Sequence, residues 1–262
     1  MLDFADRTGL SSSRDARRYL WTDAFAVCNF LALDEPELAL RVVERVHATL
    51  GRHRPDDERR GWLSGLDAAA GEAHPTLGGL RIGKPLPERP VHEPLDEERE
   101  WDRDGQYFHY LTRWMHALDQ VARSTGRSLF HEWSCELATV AFRRFTYAPH
   151  AGGRRRMYWK MSIDLSRPAV PSMGHHDPLD GLVTSAQLGL DRLAGDYEAM
   201  LEPGLATDDP LGIGGLLVDA ARVAQLVRQG AVALEHLIAP LVAAARVGLR
   251  RYASRPRLAP AW

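Results

Sequence analysis

Residues 20–50 read LWTDAFAVCNFLALDEPELALRVVERVHATL, and this stretch decides the fold class. From Tyr19 to Leu33 the chain is apolar on nearly every side, as expected of a helix buried among other helices. Asp34-Glu35-Pro36 breaks that helix and starts a second, because proline is at home in a first helical turn. In the second helix Leu38, Val42, Val46 and Leu50 recur every four residues. Glu37, Arg41, Glu44 and Arg45 fall on the other face, so this helix packs on one side and meets solvent on the other. The reading is an inner helix hairpinned to an outer one.

The same pairing recurs down the chain. Asp104 to Arg123 is followed by Leu129 to Phe145. Asp177 to Leu193 is followed by a short helical Tyr197 to Leu201, and Leu211 to Val227 by Ala231 to Tyr252. Strand signals are few. The best is Arg156 to Asp164, where Met157, Trp159, Met161 and Ile163 alternate with Tyr158, Lys160 and Ser162. With Arg143 to Tyr147 and the turn at Gly152-Gly153 it forms a small hairpin. Residues 52–100 are rich in Pro, Gly and charge, and read as a loop-rich excursion packed over one end of the helices. The fold expectation is all-α, one domain over residues 1–262.

Composition excludes several function classes. The 262 residues carry a net charge of −2 and a pI near 6.6, which favours neither nucleic acid nor an anionic membrane. The two cysteines, Cys28 and Cys135, read as reduced core residues. The N-terminus lacks the pattern of a signal peptide. No uninterrupted apolar run reaches the ~20 residues of a bilayer span. A cytoplasmic protein is expected. A P-loop, a dinucleotide fingerprint, a Gly-x-Ser-x-Gly elbow, paired Cys-x-x-Cys and His-Glu-x-x-His are all missing from the sequence.

Four helix starts share one chemistry. Trp21 to Val27, Trp101 to Phe108, His175 to Leu182 and Thr207 to Ile213 each set an acidic residue, often beside an aromatic, at the head of an apolar run. Any one carboxylate there suits exposed N–H groups and the helix dipole. Four together predict an acidic, aromatic mouth for a hydroxyl-rich ligand. Sugar rings stack their C–H faces on aromatics, while carboxylates bind hydroxyls or move protons. Asp104 is the expected acid and Asp177 or Asp180 the expected base. Trp101, Tyr107 and Trp159 are expected platforms. Asp23, Asp102, His175, His176, Asp208 and Asp209 complete the binding set. His175 to Asp180 matches no compact metal motif, so neither metal nor cofactor is expected.

Leu20-Trp-Thr-Asp-Ala-Phe, Trp101-Asp-Arg-Asp-Gly-Gln-Tyr-Phe and His176-Asp-Pro-Leu-Asp-Gly-Leu resemble the inner-helix starts of the six-hairpin glycosidase-like superfamily, the (α/α)6 toroids. That resemblance implies a toroid and a carbohydrate substrate, either a small molecule or an oligosaccharide. No catalytic motif matches residue for residue. Four hairpins plus the excursion are countable where a full ring has six. Either residues 52–100 hide helices, or the chain is a C-terminally truncated, open ring whose bared inner helices favour self-association. The leading expectation is a glycoside hydrolase working with two carboxylates. The alternatives are a sugar epimerase or isomerase using His175 or His176, and a non-catalytic carbohydrate-binding or structural toroid.

Overall fold

The computed structural model describes residues 17–149 and 153–254, together with Ala5, Asp6, Thr8 and Leu10. It is mostly helical, with a few two-residue strands. It forms two compact units, Met1–Gly174 and His175–Trp262. The first of the two expected turn glycines at 152–153 lies outside the described residues.

In the first unit, α1 (Leu20–Ala32) and α2 (Pro36–Leu50) form the expected hairpin. α1 ends where Asp34 turns left-handed (φ 60°), and Pro36 opens α2. Leu38, Val42, Val46 and Leu50 are buried while Glu37, Arg41, Glu44 and Arg45 are exposed. Each buried Leu or Val contributes about 1.5–3 kcal/mol, so the stripe holds the hairpin together. Residues 52–100 contain two short helices, α3 (Ala68–Ala73) and α4 (Glu97–Glu100), each capped by the aspartate before it. The third long helix, α5 (Phe108–Thr125), starts four residues later than the sequence pattern suggests. Gln106–Tyr107 is instead strand β1. α6 (Ser128–Phe145) then packs along α5.

β2 (Thr146–Tyr147) pairs antiparallel with β3 (Arg156–Met157), which is the expected hairpin. β4 (Lys160–Met161) turns away and pairs with β1, setting Tyr107 opposite Lys160. Met157, Met161 and Ile163 are buried, as their alternation implies. Lys160 and Ser162, on the alternate positions, are buried too.

In the second unit, α7 (Asp177–Gln187) is buried along most of its length and packs on α8 (Asp191–Glu198). The sequence pattern carried α7 on to Leu193. Gly189 adopts a left-handed φ of 70° and ends it sooner. α8 accordingly starts earlier than the expected helix at Tyr197. α9 (Pro210–Arg228) packs on α10 (Ile238–Ala253), and a 3-10 turn at Val232–Leu237 precedes α10. Pro240 falls in the first turn of α10, where its missing N–H costs nothing. Pro210–Arg228 and Val232–Ala253 are long and apolar enough to cross a membrane by length and composition, a test that core helices of soluble proteins also pass. The first of them carries a buried Asp219–Arg222 pair, whose guanidinium also donates to Thr184 and Gln187 of α7.

Candidate functional site

Within the first unit the starts of α1 and α5 come together. The Tyr19 and Tyr110 hydroxyls share a 2.6 Å hydrogen bond. Trp21 lies against Tyr110 and His109, with ring centroids 4.9 and 5.9 Å apart. Tyr107 stacks on His109 at 5.6 Å and meets Tyr110 edge-on at 5.1 Å. The strand region extends the cluster. Trp159 lies 5.1 Å from Tyr107, and Trp101 lies 5.7 Å from Trp159. The three expected platforms are therefore adjacent. Trp101 is 58% exposed and Trp159 half-buried, so the outer end of this aromatic row faces solvent.

Two cations flank the row. Lys84 Nζ sits 5.7 Å from the Tyr19 ring centre, and Lys160 Nζ 5.2 Å from that of Tyr107. They are the only lysines in a chain with 33 basic residues. Lys160 is fully buried. Its ammonium donates to the carbonyls of Glu100 (2.6 Å) and Arg103 (3.0 Å) and pairs with the Glu100 carboxylate at 2.8 Å. Two carbonyl hydrogen bonds and the adjacent carboxylate together compensate the buried ammonium. Burial lowers its pKa, and the Glu100 carboxylate opposes that shift.

The remaining electrostatics are set by burial. It raises the Asp23 carboxyl to about 6, against the pull of Arg18 and of the Tyr19 N–H. It pushes Tyr107 and Tyr110 well above the usual phenol value. It drops His109 to about 4, helped by Arg113. The Tyr107 hydroxyl is buried with no hydrogen-bond partner among the described residues.

Asp104 is buried and fully engaged. It accepts from Arg81 Nη1 (2.6 Å), Arg54 Nη1 (3.3 Å) and the backbone N–H groups of Gly83, Lys84 and Gly105. It precedes β1 and does not start a helix. Its job is to latch the excursion: Arg81 reaches on to the carbonyls of Thr49 and Arg52. Gln106 adds a second latch, accepting from Leu80 N–H and donating to the carbonyls of Gly78 and Ile163. Asp102 is exposed beside Trp101. Asp23 accepts from the N–H of Tyr19, which closes the first turn of α1.

In the second unit the other two acidic starts also meet. Asp209 caps α9 by accepting from Gly212 N–H at 2.6 Å. A methyl group built on Gly212 would lie 3.3 Å from His176, which precedes α7. His176 bonds the Leu205 carbonyl at 2.8 Å, its ring is 4.6 Å from that of His175, and burial lowers its pKa. Asp177 and Asp180 are buried in the first turn of α7, and Asp208 is half-buried. Asp104 thus belongs to one unit, and Asp177 and Asp180 to the other.

Sequence reasoning missed Tyr19, Lys84 and Glu100. A tyrosine just before a helix and the scarcity of lysine were the available signals. Cys135, expected as a reduced core residue, is free and half-buried on α6 with its sulfur 3.5 Å from His131 Nε2; His131 Nδ1 lies 3.0 Å from Asp119. Burial and three nearby carboxylates, those of Asp119, Glu132 and Glu136, hold that thiol above its ordinary pKa and so protonated. No group of three or more metal-ligating side chains occurs among the described residues. No protein-family model, no curated protein and no solved structure matches the chain.

Proposed function

We propose that the first unit binds a carbohydrate on the row formed by Trp101, Trp159 and Tyr107. The observation that carries this reading is the convergence of Trp159 with Trp101 and Tyr107, more than fifty residues earlier, with the outermost ring left open to solvent. An exposed indole face accepts the C–H face of a sugar ring. Asp102 beside Trp101, and Lys84 and the Tyr19–Tyr110 hydroxyl pair at the other end of the cluster, are polar groups suited to ring hydroxyls. In the same reading the four helical hairpins are segments of an α/α toroid with inner and outer helices. The more apolar α1 beside the amphipathic α2 supports that arrangement.

The test is calorimetric titration of the whole chain with a panel of mono- and oligosaccharides, beside Trp101→Ala. Binding that weakens at least tenfold in a folded variant supports the reading. No binding to any sugar, or equal binding by the variant, rejects it. A hydrolytic reading has one specific observation in its favour, the Asp23 carboxyl raised to about 6, the range a general acid needs near neutral pH. In that reading Asp23 replaces Asp104 as the acid, because Asp104 is committed to two guanidinium groups. Asp23→Asn then abolishes turnover and keeps sugar affinity.

A further inference from the structure

A cavity of about 460 Å³ opens between α2 and the start of α6, a volume typical of small-molecule sites. Its walls are the rings of Trp62, Phe130 and Trp133, and His47 lies among them. These rings are held in place. Trp133 donates to the Ala73 carbonyl at 2.7 Å and meets Phe130 edge-on at 5.3 Å. The Arg52 guanidinium lies 4.2 Å over Trp62.

His47 gives the cavity a fixed polar group. Its Nε2 lies 3.1 Å from the indole nitrogen of Trp114, and an indole can only donate. Nε2 is therefore the acceptor. Burial holds the ring down to about 3, so it is neutral and its single proton is on Nδ1. That N–H is given to no protein acceptor among the described residues, and it is not one of the sealed polar atoms. A buried neutral donor held in one tautomer, at a cavity walled by aromatic rings, selects a ring that carries an acceptor. The mouth has three arginines (Arg41, Arg52, Arg127) and three glutamates (Glu37, Glu44, Glu72); Arg52 and Glu72 face each other at 3.9 Å, and Arg127 lies 4.9 Å over the Phe130 ring. That balance suits a ligand with both charges better than a simple anion or cation.

We propose that this cavity binds a small aromatic zwitterion, an amino acid with a ring hydroxyl. The ring packs on Phe130 and Trp133, the hydroxyl accepts from His47 Nδ1–H, and the ammonium and carboxylate meet the charged rim. The probe is L-tyrosine, titrated calorimetrically into the full chain, with L-phenylalanine and L-alanine alongside. The expected result is 1:1 binding of L-tyrosine, about tenfold weaker binding of L-phenylalanine for the lost hydrogen bond, and none of L-alanine. His47→Gln weakens L-tyrosine about tenfold and stays folded, because the amide oxygen still accepts from Trp114. Ala48→Phe, at an exposed helix position lining the cavity, fills the mouth and abolishes binding with no demand on the core. Failure of the wild type to bind L-tyrosine, equal affinity for L-phenylalanine, or unimpaired binding by Ala48→Phe would each overturn the proposal.

Discussion

Replacing Asp104 by Asn separates a buried latch from a helix cap. Oδ1 accepts from the N–H groups of Gly83, Lys84 and Gly105, and an amide oxygen can keep those bonds. Oδ2 faces Arg81 Nη1 at 2.6 Å and Arg54 Nη1 at 3.3 Å. An amide nitrogen there sets donor against donor and leaves two guanidinium groups without their shared counter-charge. Arg81 is almost wholly buried, so its charge has little water to turn to. Losing two charge-assisted bonds at about 1.5–3 kcal/mol each, or one partner of a buried ion pair at about 3–5, gives the same range. The expected loss is about 3–5 kcal/mol. A lost cap costs only about 1 kcal/mol. Six of the seven tryptophans lie in the first unit and the seventh is Trp262, so tryptophan fluorescence in urea follows that unit. With a slope of about 2 kcal/mol per molar, the midpoint falls by about 1.5–2.5 M. A loss under about 1 kcal/mol would refute the latch.

Other outcomes follow from burial and close packing. The folded Asp23 carboxyl titrates near 6 against an ordinary 3.8, so the folded state holds the extra proton between those values. Its contribution to stability therefore falls as pH rises from 4 to 6, and Asp23→Asn removes that slope, read from urea midpoints across the window. His47 acts in the opposite sense. Its folded value near 3 lies below the ordinary 6.5, so the unfolded chain takes up the proton first and stability is lost as pH falls through that interval. His47→Gln flattens this acid loss. Gly71→Ala places a methyl carbon 2.0–2.3 Å from the pyrrole edge of buried Trp62, and the first unit should lose about 1–3 kcal/mol by the same fluorescence assay. Asp209→Ala removes the cap of α9 and should cost about 1 kcal/mol, read by circular dichroism of the helical signal.

The helices were legible because each carries its own pattern. Leu38, Val42, Val46 and Leu50 announce α2 with no help from the rest of the chain. Boundaries were less so. The late start of α5 depends on β1 pairing with β4, more than fifty residues away, and no local propensity records that pairing. The platforms Trp101, Tyr107 and Trp159 were legible as aromatics near a helix start, and the structure brings them together. The role of Asp104 was not. A carboxylate before an apolar run looks the same whether it caps a helix or neutralises Arg81, which arrives from a loop without periodicity. His47 was unreadable for the same reason: its tautomer is fixed by Trp114, from a different helix.

The scarcity of lysine has a practical corollary. Of the two ε-amines, that of Lys160 is sealed and spoken for, which leaves Lys84 as the accessible one. Mild treatment with an amine-reactive dye should therefore label the chain at Lys84 and the α-amino group alone. Because Lys84 lies against Tyr19, a reporter attached there would sit beside the aromatic row, with no engineered cysteine and no change to the sequence.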